Sequence, residues 1–383
     1  MSSQEALKTE ATKLNASLNG NPAWLHGASL GDINSLAPFV QLLHDTAYSQ
    51  VSPHPILSAV TRSGLGQISR IFPTLKHYWA PILPAPYPWY IYLQNRPSLL
   101  LLERLELWPH WLSSWSRQGV RCCVINGLIS PRTLRARAFL RSSFQRLDLF
   151  LAQREIDAER AVYMGTPSAR VFLCGSSKYD AILARKLPNA TPLHLQLGRY
   201  DLVIGCLASD EEDFALTALS QTSLRALIAP RHLSRVPSII RKARSLGVTT
   251  TLRSSIGHRH QSTAHSAQWV ILDTYGELSS AYQLAPFAII GGTFGRRGGQ
   301  NMIEAAMSGA RVNIGPNIGA ASLEKDHLLH DGVVQHPTYD SAVQAINRWM
   351  KQSSSDWPPK IDLKRLNALR GSTLRQLKIL NQH

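Results

Sequence analysis

The stretch FAIIGGTFGRRGGQNMIEAAMSGARVNIGP at residues 287–316 predicts, in order, an apolar strand, a glycine-rich loop, a helix and a second apolar strand. Two strands joined through a helix form the unit from which parallel sheets are built. The same alternation of short apolar runs with helix-length amphipathic stretches extends along the chain. The runs lie at 98–102, 121–125, 147–152, 170–174, 202–207, 224–229, 269–272, 287–290 and 311–314. We therefore predict an α/β fold of doubly wound layers, with ligands bound at the carboxyl ends of the strands.

The chain is long enough for two such layers. It has 383 residues, of which 44% are hydrophobic, so it can bury a sizeable core, and its length favours two domains. The turn signals Pro-Asn and Thr-Pro mark residues 183–199 as the linker. We predict an N-terminal domain at 1–185 and a C-terminal domain at 186–383, the second of which ends in a basic helix near 362–380.

Basic residues outnumber acidic ones in this chain. Lys and Arg total 41 against 25 Asp and Glu, a formal charge of +16, which predicts attraction to phosphates or anionic surfaces. The sequence carries neither a helix-turn-helix pattern nor an RNA-binding aromatic motif, and its basic residues are spread over both halves. We therefore predict no nucleic-acid partner, and expect a phosphorylated ligand or an anionic membrane surface instead.

The cysteines and the first residues bear on the compartment. Cys122, Cys123, Cys174 and Cys206 each lie in an apolar run without metal-ligand spacing, so we interpret them as reduced core thiols. The first 21 residues are polar and lack the apolar core of a signal peptide or a membrane span. We expect a soluble protein, or one attached only peripherally to a membrane.

The loop within residues 287–316 carries the densest cluster of functional residue types. Glycines ahead of a helix let main-chain N–H groups approach a phosphate, the helix N-terminus adds a partial positive charge, and Arg297 complements both. Glu304, one turn into the helix, is placed to accept hydrogen bonds from ribose hydroxyls. The pattern predicts a nucleotide phosphate site, and an ordinary glycine-rich turn is the alternative.

Two loops upstream follow apolar strands in the same way. Arg231 and His232 come directly after one strand, and Glu277 stands in the DTYGEL loop, residues 273–278, after another. We expect both loops to open onto one crevice, where Arg231 binds a phosphate or carboxylate and the amides beside Glu277 hold an anion. A solvated salt bridge is the alternative explanation for either loop.

These residues belong to an ordered series of motifs that resembles the bacterial 3-deoxy-D-manno-octulosonic acid (Kdo) transferases, which move Kdo from CMP-Kdo to the lipid A precursor. The resemblance spans most of the chain. In chain order, the motifs are LHGASLGD at 25–32, ELWP at 106–109, NGLIS at 126–130, GSSKYD at 175–180, PRH at 230–232, DTYGEL at 273–278 and GGQN at 298–301 with Glu304. Seven motifs in register are hard to obtain by chance.

The resemblance implies an α/β fold of the GT-B type, in which two Rossmann-like domains face a central cleft. It also implies inverting, metal-independent transfer with no cofactor, CMP-Kdo being the donor substrate. The N-terminal domain would hold the phosphorylated glycolipid acceptor, and the C-terminal domain would hold the CMP-sugar donor.

The resemblance further assigns roles to residues, with no metal ligand among them. Asp32 takes the position of the family's general base, and Glu106 that of a supporting acid. Residues expected at the donor are Ser176, Lys178, Arg231, His232, Gly276, Glu277, Leu278, Arg297, Gly298, Gly299, Asn301 and Glu304. Residues expected at the acceptor are Ser29, Gly31, Arg132 and Arg135.

The chemistry of sugar transfer requires such groups in any case. A sugar hydroxyl is a poor nucleophile, so a carboxylate within hydrogen-bond reach is needed, and general base catalysis typically contributes about 10² to 10⁴ in rate. The leaving group is a phosphate monoester. Without a divalent metal, its developing charge must be met by arginines and aimed amides, which Arg231 and the glycine-rich loop could supply.

Three departures from the family pattern leave other functions open. Asp32 stands where the family motif has Glu, which is one methylene longer, and the SDEED segment at 209–213 lacks the His of the family's HEGEE-like segment. The apolar helix with which the family usually begins has no counterpart here. The alternatives are a transferase for another nucleotide-activated sugar and an inactive homologue that binds a nucleotide sugar.

Membrane attachment must then come from basic surface residues. We expect peripheral binding on the cytoplasmic side, at the inner face of the inner membrane. The candidates are the arginines within 132–146 and the basic segment 360–378, where each cation near an anionic bilayer contributes about 1 kcal/mol. The N-terminal arginines could equally grip the phosphates of a glycolipid headgroup.

Overall fold

The protein is known from a computed structural model. The structure describes residues 2–47, 54–80, 94–184, 197–256, 267–296, 298–299, 302–318, 332–352, 354–362, 366 and 369–383. The chain divides into two compact units. The first comprises Met1–Ala184 together with Leu369–His383, and the second comprises Arg185–Ala368.

The first unit is built around a parallel sheet, which has seven strands within the described residues. The strands are β1 (Ala23–Gly27), β2 (Ile56–Ala59), β3 (His77–Trp79), β4 (Leu99–Glu103), β5 (Arg121–Gly127), β6 (Leu149–Ala152) and β7 (Val171–Leu173). Their spatial order is β3-β2-β1-β4-β5-β6-β7, the order of a doubly wound sheet. The helices are α1 (Ser3–Ser17), α2 (Leu30–Asp45), α3 (Arg62–Ile71), α4 (Pro109–Ser116), α5 (Pro131–Arg135), α6 (Arg137–Gln145), α7 (Glu155–Met164) and α8 (Ser177–Ala184).

The second unit repeats this architecture. In the described part of the chain its strands are β8 (Leu202–Leu207), β9 (Ala226–Pro230), β10 (Thr250–Leu252), β11 (Trp269–Ile271), β12 (Phe287–Ile290), β13 (Arg311–Ile314) and β14 (Val334–Gln335). They are parallel, in the order β10-β11-β9-β8-β12-β13-β14. The helices are α9 (Glu212–Ser220), α10 (Val236–Ser245), α11 (Leu278–Ala281), α12 (Met302–Met307) and α13 (Tyr339–Lys351). Short 3₁₀ turns lie at Ser168–Arg170, Leu233–Arg235, Arg253–Ser255, Tyr282–Leu284 and Ser354–Asp356.

Burial on both faces explains why the strands are continuous apolar runs. In β4, Leu99 and Leu101 pack into the core on one side of the sheet, whereas Leu100 and Leu102 pack into the core on the other side. Helices cover both faces of a parallel sheet, so neither face can be polar. Each of the nine apolar runs in the sequence coincides with a strand, and the predicted α/β class is confirmed.

Five strands were not among the predicted runs, namely β1, β2, β3, β10 and β14. They have two to five residues, and polar side chains interrupt their apolar character, such as His26 in β1. The outer strands β3 and β10 are only partly buried. At a partly solvated sheet edge, burial does not impose an apolar run, so the sequence carries a weaker signal.

The C-terminal helix, α14 (Ser372–Gln382), belongs to the first unit. Asp180 of α8 accepts hydrogen bonds from the backbone N–H groups of Gly371 (2.6 Å) and Thr373 (2.7 Å) and from the Thr373 hydroxyl (2.7 Å). Leu377 is buried in the core of this unit. The assignment of the final helix to the C-terminal domain was therefore wrong, because its apolar face packs against α1 in the first unit.

Within the described segments, no helix combines the length and the apolar character that a membrane crossing requires.

Replacing Asp180 with Ala is expected to loosen α14, because three donors lose their acceptor. A hydrogen bond to a charged group contributes about 1.5–3 kcal/mol, so the first unit should lose at least about 2 kcal/mol of stability. The measurement is thermal unfolding together with amide hydrogen exchange of residues 372–382. Glu159→Ala, an exposed acid on α7, is the matched control. Wild-type exchange in α14 of the Asp180 variant would contradict this anchoring role.

Candidate active site

Asp32 lies in the first turn of α2, directly after β1, and so at the carboxyl edge of the first sheet. Its Oδ2 accepts hydrogen bonds from the Ser29 backbone N–H (2.9 Å) and the Ser29 hydroxyl (2.7 Å). A Cβ on Gly27 would lie 2.9 Å from the Cβ of Asp32, so a glycine is needed for this close approach. The Asp32 side chain is only 11% exposed. It is therefore held rigidly at the edge where α/β proteins bind ligands.

The second carboxylate oxygen of Asp32 has a different environment. Among the described residues no hydrogen bond reaches Oδ1, and its cation is Arg104, whose Nε lies 3.5 Å away. The hydrogen bonds of Oδ2 cap the start of α2, so Asp32 has a structural role as well. Because Oδ1 is not used by the cap, the carboxylate retains an acceptor for a substrate hydroxyl.

Two further carboxyl groups surround Asp32. Burial raises the pKa of Glu106, just beyond β4, to about 7, and the charge of Asp32 acts in the same direction, whereas Arg104 opposes it. Burial also raises the pKa of Glu103, the last residue of β4, to about 8, with Arg104 and the Asn126 hydrogen bond opposing. Asp32 and Glu106 were predicted as site residues from the sequence, whereas Glu103 and Arg104 were not. The available signal was their place at the strand end, directly before the ELWP motif.

Asn126, at the end of β5, organises the interior behind this cluster. Its Nδ2 donates to Glu103 Oε2 (2.8 Å) and to Ser177 Oγ (2.7 Å). Its Oδ1 accepts from the Ser177 backbone N–H (2.8 Å) and from Gln376 Nε2 (2.9 Å). One buried carboxamide therefore joins β4, β5, α8 and α14. Asn126 is the first residue of the NGLIS motif, so the motif has a structural role in this unit.

Several predicted residues fall on this same unit. Ser176 is buried just before α8, and the Nζ of Lys178 lies 5.7 Å from the ring centroid of Tyr179. The structure places both in the first unit, whereas the other predicted donor residues belong to the second.

The predicted acceptor residues also follow strand ends of the first sheet. Ser29 fixes Asp32, and Gly31 lies in the first turn of α2. Arg132 and Arg135 are exposed on α5, which follows β5. Carboxyl ends of parallel strands share one edge, so all four lie on the edge that carries Asp32. In the basic C-terminal segment, Lys364 and Arg365 lie outside the described residues.

In the second unit, Arg231 follows β9 and its backbone N–H donates to the Leu207 carbonyl (2.9 Å). Its Nη1 is buried and has no hydrogen-bond partner among the described residues. A Cβ on Gly292 would lie 3.9 Å from this Nη1 and 2.6 Å from the carbonyl oxygen of Gly298. The guanidinium therefore lies against the glycine-rich loop with a donor that no described residue uses. An anion is the natural partner for such a group.

Three more side chains meet at this edge. Cys206 adopts a left-handed backbone conformation (φ 57°) at an irregularity of β8, and burial raises its pKa to about 11, with the charge of Glu304 adding and that of Arg231 opposing. The hydroxyl of Tyr282 is buried, and its pKa is raised by burial and by Cys206 and Glu304. Glu304 was predicted, but Cys206 and Tyr282 were missed. Cys206 lies at the end of a strand, and this position in the sequence could have distinguished it from the thiols of the core.

The amides at the start of the glycine-rich loop are already occupied. Glu211, fully buried, accepts hydrogen bonds from the backbone N–H groups of Gly292 (2.6 Å), Phe294 (2.7 Å) and Gly295 (2.8 Å). Asp210 accepts from the N–H of Arg296 (2.9 Å). The hypothesis that loop amides meet a phosphate therefore does not hold for these positions, because buried N–H groups are satisfied by the protein itself.

The rest of that loop and its neighbours were also predicted. Gly298 lies against Gly292, whereas Arg297 and Asn301 lie outside the described residues. A Cβ on Gly299 would overlap Thr293, so this position requires glycine for close packing.

The SDEED segment has a structural role in this chain. Next to Glu211, Glu212 forms a two-point contact with Arg235, whose Nε and Nη2 lie 2.9 and 2.7 Å from its carboxylate oxygens. Both glutamates therefore bind partners within the second unit. This role accounts for the acidic residues that the sequence places at 210–213.

The DTYGEL loop is held by a salt bridge. Arg253 donates to the carboxylate of Glu277 from Nε (3.1 Å) and Nη2 (2.9 Å), and the Thr274 hydroxyl also donates to it. Gly276 has φ 87°, a conformation that favours glycine. The salt bridge named as the alternative for this loop is present, and it fixes the turn that precedes Leu278, the first residue of α11. His232 is exposed beside Arg231.

Comparison with known proteins shows what this chain is similar to. Residues 4–181 match the family model described as 3-deoxy-D-manno-octulosonic-acid transferase (kdotransferase). The 3-deoxy-D-manno-octulosonic acid transferase of Bordetella pertussis is 29% identical over 318 residues, which cover 77% of this chain and 71% of that protein. The enzyme of the same name from Chlamydia trachomatis serovar D is 25% identical over 326 residues, covering 81% of this chain and 73% of that protein. Over most of its length, this chain is therefore similar to Kdo transferases.

The two-unit fold has a counterpart among solved structures. A glycosyltransferase structure from Rickettsia africae superposes with a TM-score of 0.60 at 10% sequence identity, covering 94% of this chain and 98% of that one. At this identity the likeness concerns the fold alone. The predicted GT-B type of α/β fold is thereby confirmed, and the similarity to Kdo transferases confirms the prediction that this protein is a glycosyltransferase.

Replacing Glu211 with Gln is expected to destabilise the second unit, because the new NH₂ group faces backbone N–H groups and leaves at least one without an acceptor. A buried donor without a partner costs about 1–3 kcal/mol. Thermal unfolding of the variant measures this loss. The control is Asp213→Asn on the same helix, where the side chain is 88% exposed and its ion pair with Lys242 should contribute little. Equal stability of the two variants would contradict the role given to Glu211.

Proposed function

We propose that this protein moves Kdo from CMP-Kdo to a hydroxyl of a lipid A precursor, in lipopolysaccharide biosynthesis. The observation that carries the proposal is Asp32, a largely buried carboxylate at the carboxyl edge of a sheet, with one oxygen fixed by Ser29 and the other not hydrogen-bonded within the described residues. The match of residues 4–181 to the Kdo transferase model and the names of the similar enzymes support the choice of Kdo and of its CMP-activated donor.

In this proposal Asp32 is the general base. Its Oδ1 takes the proton of the acceptor hydroxyl while the hydroxyl oxygen attacks the anomeric carbon of Kdo. The bond from that carbon to the phosphate oxygen breaks in the same displacement, CMP leaves, and the configuration is inverted. Glu106, whose pKa lies near 7 because of burial and the charge of Asp32, is the supporting acid beside the base.

The donor phosphate is assigned to the second unit. Its developing charge is met by Arg231, whose buried Nη1 has unused donor capacity, together with the segment around Gly298 and Gly299. Glu304, close enough to influence Cys206, is assigned to the ribose hydroxyls. A guanidinium neutralises a phosphate without a metal ion, which supports metal-independent transfer as part of the proposal.

The acceptor side of the proposal rests on exposed arginines. Arg132 and Arg135 follow β5 at the edge that carries Asp32, so they are assigned to the phosphates of the glycolipid. The formal charge of +16 favours an anionic membrane surface, which supports peripheral attachment at the cytoplasmic face.

Two observations favour a second candidate, a transferase for another nucleotide-activated sugar. Asp32 replaces the family's Glu, and Glu211 and Asp210 occupy loop amides on the donor side. An assay with CMP-Kdo and a lipid A precursor, read by the mass of the lipid, separates the candidates. A mass increase by one or more Kdo residues supports the proposal. Turnover of a different nucleotide sugar supports the second candidate. CMP binding without any turnover would indicate an inactive homologue.

Asp32→Asn is expected to lower the turnover number by about 10² to 10⁴, because the amide cannot accept the proton. Its oxygen can still accept a hydrogen bond from Ser29, so folding should persist. The measurement is transfer rate together with CMP binding by calorimetry, and CMP binding should be unchanged. Asp45→Asn, an exposed position in the same helix, is the control. Retained turnover in the Asp32 variant would reject the base assignment.

Arg231→Ala is expected to weaken CMP binding at least about tenfold, since a guanidinium–phosphate contact in a partly buried site contributes on the order of 1.5–3 kcal/mol. Titration calorimetry with CMP measures the affinity. Arg241→Ala on α10, an exposed arginine of the same unit, controls for the loss of one positive charge. Unchanged affinity in the Arg231 variant would place the phosphate elsewhere.

A further inference from the structure

Arg104 occupies an unusual backbone position. It follows Glu103 at the end of β4 with φ 58°, in the left-handed region that side chains other than glycine rarely adopt. Its backbone N–H donates to the Ile125 carbonyl (2.9 Å), so the chain stays attached to β5 while it turns. A non-glycine residue held in this region calls for a functional explanation, because the surrounding structure must stabilise it.

The side chain of Arg104 points to the carboxyl cluster. Its Nε is buried, lies 3.5 Å from Asp32 Oδ1 and makes no hydrogen bond to any described residue, although the side chain as a whole is 43% exposed. The charged groups around it are Asp32 from α2, Glu103 at the end of β4 and Glu106 beyond it. One guanidinium therefore stands among three carboxyl groups.

We propose that Arg104 is a positioning residue for Asp32: its positive charge beside Oδ1 orients this carboxylate next to the two other acids. The inference rests on the proposed function, in which Asp32 is the base. Ser29 already fixes Oδ2 from one side, and Arg104 defines the other side. With Oδ2 hydrogen-bonded to Ser29 and a cation beside Oδ1, the aspartate presents Oδ1 in a defined direction.

The positive charge of Arg104 also acts on Asp32 electrostatically. A positive charge within about 4–6 Å favours the ionised form of a carboxyl group, whereas neighbouring carboxylates favour the protonated form. Without Arg104, the ionised form of Asp32 would lose the cation that lies beside its Oδ1. The acidic limit of the transfer reaction would then move to higher pH. A purely structural ion pair would instead lower stability and activity equally at every pH.

The test is the pH dependence of kcat between pH 5 and 9, with CMP-Kdo and the lipid A precursor, for Arg104→Gln and Arg104→Lys. In Arg104→Gln the acidic midpoint should move to a pH about one unit higher. Activity well below the midpoint should therefore fall about tenfold relative to wild type and recover at high pH, with the donor KM unchanged. In Arg104→Lys the charge is kept, so the midpoint should stay near that of wild type while kcat falls through lost orientation.

Arg96→Gln is the matched control. Arg96 is also an arginine with a left-handed backbone (φ 43°) in the first unit, it is exposed, and it forms no ion pair within the described residues. This variant should keep the wild-type pH profile.

The outcomes separate this inference from the proposed function. An unshifted acidic midpoint in Arg104→Gln, with Asp32→Asn inactive, would overturn the role of Arg104 and leave Asp32 as the base. Full activity of Asp32→Asn would overturn both. If Arg104→Gln fails to fold by circular dichroism, Arg104→Lys decides: a kcat at the wild-type level at every pH would contradict positioning, and a reduced kcat with an unchanged midpoint would support it.

Discussion

A polar group removed from water must find a hydrogen-bond partner inside the protein, and in this chain that constraint fixes the loops at the carboxyl edges of both sheets. In the second unit, the carboxylate of Glu211 accepts several backbone N–H groups of the glycine-rich loop. In the first unit, the carboxamide of Asn126 connects Glu103, Ser177 and Gln376. The loops that carry the candidate site are therefore ordered by polar contacts with the protein, as much as by apolar packing.

This constraint changes how the glycine-rich loop relates to a phosphate. Glycines bring backbone N–H groups close together, and such a group of donors binds whichever anion is nearest. Here the nearest anions are the side chains of Glu211 and Asp210. In the proposed function, the nucleotide phosphate therefore depends more strongly on Arg231, whose Nη1 the described part of the protein leaves without a partner.

The first unit balances charge differently. Burial pushes the carboxyl groups of Glu103 and Glu106 toward their protonated forms, and the negative charge of Asp32 adds to that effect. Arg104 opposes it from the end of the same strand. Burial and the cation therefore act in opposite directions on the pKa values of Glu103 and Glu106.

The sequence by itself determined the α/β class, because a parallel strand buried on both faces must be an apolar run, as in β4 and β12. The position directly after an apolar run also indicated Arg231, whereas Asp32 and Glu106 were indicated by the resemblance to a known family. Only the tertiary structure decided that α14 packs in the first unit, that Glu211 binds the loop amides, and that Glu103 and Arg104 join Asp32. Periodicity reports contacts between residues close in sequence. Asn126 and Gln376 are 250 positions apart and Gly292 and Glu211 are 81 apart, so burial and distance in the folded chain select these partners.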